Sequence, residues 1–293
     1  MSGFKSFAVA GAGDIGRFIL EELVRHVTGG SVTNVVALTR SSIGYDDLKA
    51  QGIVFKTVDY SDPASLVTAL QDIDVVISAI SGGALLAQIP LADAAKAAGV
   101  KHFVLSEYGN RSDGKTYGIF AVKNRVREHL LSLDLPHSQF FTGPVSDWFF
   151  DGRPEWGFDL PNGKAVVGGS GNVPISWTSS PDIARYMVYV LTHVSPTEQR
   201  NKPFAIEGER KTINQILEEY QARSGRKLEV TYESKEFLEK QVKEHPHDYE
   251  NGLIRLLHLE WERGEGQTGT PEEVNKYWPD FKPAKVVDVM LSL

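Results

Sequence analysis

The stretch 4–16 restricts what this chain can fold into more than any other. It reads Phe-Lys-Ser-Phe-Ala-Val-Ala-Gly-Ala-Gly-Asp-Ile-Gly. An apolar run with strand character ends at Ala10, glycines follow at Gly11, Gly13 and Gly16, and a helical pattern opens at Arg17. Gly-x-Gly-x-x-Gly between a strand and a helix is the turn of a dinucleotide-binding unit. Gly11 permits the tight turn, Gly13 lets a pyrophosphate approach the backbone, and Gly16 lets the helix pack close to the strand. Asp14 and Ile15 lie at the helix start, where free N–H groups and the positive end of the helix dipole favour a phosphate. The alternative is a glycine-rich turn of an α/β fold that holds no ligand.

Helical spacing of Ile15, Phe18, Ile19, Leu23 and Val27 predicts a helix over 14–27. The run 34–39 is near-continuously apolar, as a buried parallel strand requires. It ends in Thr39-Arg40-Ser41-Ser42, with no acid. An acid there would hold a ribose 2′-hydroxyl, whereas an arginine suits a 2′-phosphate. Arg40 offers a planar charged fork and Ser41 and Ser42 offer hydroxyls, so NADP(H) is expected over NAD; the alternative is a solvated loop arginine. Further strands are read at 53–58, 74–80, 102–105 and 138–141, alternating with helices that begin near 62, over 84–98 and over 119–133. This alternation predicts a Rossmann-like, doubly wound parallel sheet with right-handed crossovers. Its carboxyl edge, where ligands bind in such folds, carries Ser78 with Gly82 and Gly83, Ser106 and Gly143. Asp59 and Tyr60 either bound an adenine or simply end a strand.

Beyond residue 150 the pattern changes. We expect a cofactor domain over 1–150 and a smaller α+β substrate lobe over 151–293, with chain crossing back to the first domain around 172–206. Trp148 and Phe149 open an aromatic-rich region and either line a flat substrate pocket or form core between the lobes. Helices are expected over 180–191, 212–224, 234–244 and 248–263, and the glycine-rich segment 264–270 reads as a mobile loop. The 293 residues contain no cysteine, which excludes disulfides, thiol nucleophiles and cysteine-ligated zinc. A net charge of −7 argues against nucleic acid as partner. No run approaches the roughly 20 apolar residues of a membrane span. The first strand starts at once, leaving no room for a signal peptide, so a cytoplasmic enzyme is expected. His129, His137, His245 and His247 form no ligand spacing, so no metal is expected, and His102 reads as structural.

Three places now converge: the glycine turn, Asp74-Val-Val-Ile-Ser-Ala, and Val104-Leu-Ser-Glu-Tyr-Gly-Asn followed by Phe120-Ala-Val-Lys-Asn-Arg-Val-Arg. Together they resemble the NmrA-like and isoflavone-reductase-like family, atypical members of the short-chain dehydrogenase/reductase superfamily. The resemblance extends to Asp182-Ile183-Ala184 and Thr212-Ile-Asn-Gln-Ile-Leu, and so covers essentially the whole chain. The family's Ser-Glu-Phe-Gly stands here with Tyr108 in place of phenylalanine, a conservative change that alters a pocket wall. The family's helix lysine, beside the nicotinamide, matches Lys123. The tyrosine of the superfamily's Tyr-x-x-x-Lys dyad is missing, because Ile119 occupies its position and Tyr117 lies far round the helix.

The resemblance implies an NADPH-dependent reductase of secondary metabolism acting on a small aromatic or polycyclic metabolite. Hydride would come from the nicotinamide, while Lys123 handles the proton and touches the ribose; the alternative is a surface lysine grouped with Arg125 and Arg127. Topology and resemblance together assign Ser78, Ala79, Gly82, Gly83, Ser106 and Gly143 to the cofactor, and Tyr108, Trp148 and Phe149 to the substrate. The expected state is monomer or homodimer. The family also implies a second possibility, a non-catalytic NADP(H)-sensing regulator that binds a protein partner.

Overall fold

A computed structural model describes residues 3–41, 43–152, 156–245 and 251–293. Its strands are β1 (Ser6–Ala10), β2 (Asn34–Thr39), β3 (Val54–Thr57), β4 (Val75–Ser78), β5 (His102–Val104), β6 (His137–Phe141), β7 (Phe158–Asp159), β8 (Lys164–Gly168), β9 (Ile175–Trp177), β10 (Lys202–Ala205), β11 (Glu209–Lys211) and β12 (Glu229–Glu233). Seven of them form one sheet in the order β10-β6-β5-β4-β1-β2-β3, with every pairing parallel. The apolar run that precedes the glycines becomes β1, which is buried along its whole length between β2 and β4.

Helices cover both faces of this sheet. On one face lie α1 (Asp14–Thr28) and, from much later in the chain, α7 (Ser180–His193). Their stripes, Ile15, Ile19 and Leu23 with Ile183, Met187 and Val190, meet Phe7, Val9 and Val35 in one core. The other face carries α3 (Pro63–Ala69), α4 (Gln88–Ala97) and α5 (Gly118–Ser132) over Ala8, Val36 and Val76. Short helices α2 (Asp46–Ala50), α6 (Ser146–Phe149) and α8 (Pro196–Gln199) fill connections. Ser179 caps α7, and its hydroxyl accepts from the Asp182 N–H at 3.3 Å.

The C-terminal part combines a β7-β8-β12 sheet and a β9-β11 pair with α9 (Ile213–Ser224), α10 (Lys235–Glu244), α11 (Asn251–Glu262) and α12 (Val286–Ser292). Its core is aromatic, with Phe150, Phe158, Trp177 and Trp261 buried together. The segment 264–270 departs from its expected mobility. Thr268 is fully buried and its hydroxyl donates to the Ile206 carbonyl at 3.1 Å, while Arg210 donates to Gln267 and to the Gly269 carbonyl. Glycine content gives the segment its shape, and these bonds hold it. Among the described residues no helix is long and apolar enough to cross a membrane.

Three imidazoles, His102, His137 and His258, are enclosed among the described residues. His102 bonds Ser138 at 2.9 Å, and His258 packs on Trp261 against Gly168, where a Cβ would lie 2.3 Å from its ring. Burial, reinforced by Arg255, pushes His258 down from 6.5 to about 4. Between those values the unfolded chain binds a proton that the fold refuses, so stability is lost as pH falls. The pH 7 to pH 5 decrease that His258 causes is about 2 kcal/mol. His258→Leu should remove that share, as read from urea unfolding at the two pH values; equal decreases in parent and variant would refute the assignment.

Candidate functional site

The first of the three turn glycines, Gly11, adopts φ +104°, and a Cβ there would lie 2.9 Å from the Ala79 carbonyl oxygen. A Cβ on Gly16 would lie 2.1 Å from the Gly11 carbonyl oxygen and 3.1 Å from the Ala79 side chain. The chain's own packing therefore demands both. Gly13 differs: its φ is −82°, and a Cβ there meets nothing within 4 Å. Nothing in the chain requires glycine at that position, but a pyrophosphate seated on the backbone does. Asp14 is exposed in the first turn of α1, whereas Ile15 turns its side chain into the core and offers only backbone. The Ala79 N–H is spent on the Ala10 carbonyl at 2.9 Å, and Ser78 is fully buried.

At the end of β2, Arg40 is exposed and forms no ion pair among the described residues. Arg17, on the neighbouring turn, pairs instead with Glu21 and Asp47. Arg40 acts electrostatically on Tyr60, a phenol that burial pushes up to about 12 and that Arg40 pulls back down. Ser41 accepts from the Ile43 N–H at 3.2 Å, and Ser42 lies outside the described residues. A free guanidinium beside a neutral ring at the carboxyl edge fits a phosphorylated ribose carrying an adenine.

The loop after β5 holds a buried polar cluster. The Ser106 N–H donates to Gln88 Oε1 at 2.9 Å. Lys123, 8% exposed, donates from Nζ to the Glu107 carbonyl at 3.1 Å and lies 3.5 Å from the Glu107 carboxylate. Lys123 is therefore not a surface lysine, unlike the exposed Arg125. The Ser112 hydroxyl donates to Glu107 at 2.9 Å, and Asn124 donates to the Ser112 carbonyl at 2.9 Å. Burial pushes the Glu107 carboxyl above the usual carboxylate range, while the Lys123 ammonium pulls it back. Tyr108 spends its hydroxyl on the Ser78 carbonyl at 2.9 Å. Gly143, at φ +63°, marks where the end of β6 passes β9; a Cβ there would lie 1.8 Å from the Ser176 carbonyl oxygen.

A cavity of about 590 Å³ opens at the start of α5, and neither Lys123 nor Glu107 lines it. Gly82, Gly83 and Leu85 after β4, Ile119 and Val122 of α5, and Leu256 of α11 form its apolar walls. Among the described residues no aspartate, glutamate, lysine or arginine lines it, and His245 stands in its wall. Tyr117 at its rim donates to the buried Glu260 of α11 at 3.0 Å, and Lys115 pairs with the same carboxylate. That carboxylate ties α11 to the loop before α5 and so fixes the width of the cavity mouth.

None of the three residues assigned to substrate from sequence lines this cavity. Trp148 is half-buried against the large-sheet core. Phe149 is enclosed by Trp156, Trp177 and Trp261 at ring separations of 4.8, 6.0 and 5.3 Å, which makes it lobe core, the other role its sequence context allowed. The walls supplied by α10 and α11 gave no signal in the sequence beyond ordinary helical spacing. Glu107 did carry one, since it stands inside the Ser-Glu-Tyr-Gly signature.

The NmrA-like family model matches residues 5–287. An isoflavone reductase homolog of Solanum tuberosum is 26% identical over 316 residues, covering 98% of this chain and 97% of that protein. A bifunctional pinoresinol-lariciresinol reductase of Linum usitatissimum is 30% identical over 250 residues, covering 78% of each. The binary complex of leucoanthocyanidin reductase with NADPH from Vitis vinifera shares the fold, with a TM-score of 0.83 at 19% identity over 98% of both chains.

Proposed function

The chain belongs to the NmrA-like family, and on that premise we propose that it is an NADPH-dependent reductase of a small, neutral, aromatic or polycyclic metabolite. The observation that carries this reading is the enclosed Lys123 ammonium on α5, the helix whose Ile119 and Val122 wall a largely apolar cavity at the carboxyl edge of the sheet. A cofactor sensor has no use for such a cavity. Gly11, Gly13 and Gly16 with the start of α1 hold the pyrophosphate, Arg40 and Ser41 take the 2′-phosphate, and Ser78, Ala79, Ser106 and Gly143 lie along the nicotinamide half. Bound NADPH supplies hydride. Lys123 holds the nicotinamide ribose and gives its proton to the substrate atom that gains charge. Tyr108, whose hydroxyl is spent on the Ser78 carbonyl, lies outside the cavity walls.

Cofactor choice is tested at Arg40. Arg40→Ala should weaken NADPH binding by roughly 1.5–3 kcal/mol, the worth of a charge-assisted contact, and leave NADH nearly unchanged. Calorimetric titration of both cofactors decides, and equal losses would remove Arg40 from 2′-phosphate recognition. Turnover is tested by following NADPH oxidation against a panel of aromatic enones and quinone methides. At least one compound should be reduced; NADPH binding with none reduced would favour the sensor.

A further inference from the structure

The Lys123 ammonium has a partner that a proton donor does not by itself require. Glu107, at the carboxyl end of β5, has none of its surface exposed. Its Oε1 accepts the Ser112 hydroxyl at 2.9 Å. Its Oε2 has no hydrogen-bond partner and lies 3.5 Å from Lys123 Nζ. The same Nζ donates to the Glu107 backbone carbonyl at 3.1 Å. One residue thus holds the ammonium twice, once through the backbone and once through the carboxylate. A carboxylate buried this completely persists in charged form only where a cation faces it.

Resting on the reading of Lys123 as proton handler, we infer that Glu107 is its positioning residue: the carbonyl aims Nζ and the carboxylate keeps it charged until substrate takes a proton. In reduction an Nζ–H bond breaks, and the proton goes to the substrate atom that receives the electron pair displaced as hydride reaches the neighbouring carbon. The neutral amine left behind retains its bond to the Glu107 carbonyl and regains a proton from solvent. The charged groups that bear on Glu107 are Lys123 and Arg127, both from α5. Arg127 is paired with Asp113 at 3.0 Å, which leaves Lys123 as the near counter-charge.

The test reads Lys123 directly and needs no substrate, so it stands whether or not the reductase reading does. Lysine side chains are labelled with ¹³C, and the Lys123 Cε resonance, assigned by its loss in Lys123→Met, is titrated with pH. Glu107→Gln keeps the side chain's shape and an acceptor for Ser112. Loss of an opposite charge at this distance should lower the Lys123 midpoint by about 1–3 pH units. Glu107→Asp, which draws the carboxylate back by one methylene, should shift it part of the way and serves if the glutamine variant does not fold. A midpoint that stays or rises in these variants overturns the assignment.

Discussion

Lys123→Met is expected to lower kcat by roughly 10²–10⁴, the usual worth of a positioned proton donor. Methionine keeps most of the stem, and NADPH binding should fall only modestly, because the glycine turn and Arg40 hold the phosphates. The variant carries a second consequence. Removing the ammonium leaves Glu107 buried without its counter-charge, and an orphaned buried charge costs about 3–5 kcal/mol. Glu107 can escape that penalty by taking up a proton, so the stability loss should shrink as pH falls. Adding Glu107→Gln to Lys123→Met removes the orphaned charge. Stability should then return towards the parent while kcat stays low. Recovery of kcat together with stability would mean that Lys123 serves only the fold.

Gly16→Ala and Gly13→Ala should separate what the chain needs from what the cofactor needs. The new methyl at position 16 would collide with the Gly11 backbone at 2.1 Å, and no flexible side chain is there to yield. Either α1 lifts off β1 or the turn opens, and a loss of about 3 kcal/mol or more is expected. At position 13 the methyl meets no protein atom within 4 Å, and φ is ordinary, so thermal stability should hold to within about 0.5 kcal/mol. NADPH affinity should nevertheless fall, by about a hundredfold, because the methyl stands where the pyrophosphate approaches. Unchanged affinity in Gly13→Ala would show that nothing lies against that glycine.

Much of the fold was legible because its signals are local. The apolar runs of β1 and β2, the three glycines and the alternating helices each follow from a few consecutive residues, and the parallel order follows from the connections between them. The apolar run Phe204-Ala-Ile suggests a short strand two residues later than β10 begins; the seat of β10 beside β6 depends on a partner 64 positions earlier, as the pairing of Lys202 with Ser138 records. Distance in sequence also hid the site. Leu256 forms a cavity wall only because Glu260, on the same helix, is bonded to Tyr117 and Lys115 far upstream. The burial of Lys123 depends on Glu107, which the signature displayed but whose pairing only the folded loop brings about. Phe149 misled in the opposite way: an aromatic run suggests a flat pocket, yet three indoles close around it.

Hydride transfer at this site is the event from which every other role follows. NADPH carrying deuterium at the transferable position of the nicotinamide should be mixed with the protein and the panel of aromatic enones and quinone methides, and the products analysed by mass spectrometry. A reduced product that carries one deuterium on carbon should form with the parent and form about 10²–10⁴-fold more slowly with Lys123→Met. Tight NADPH binding with no deuterium in any product would contradict hydride transfer at this site.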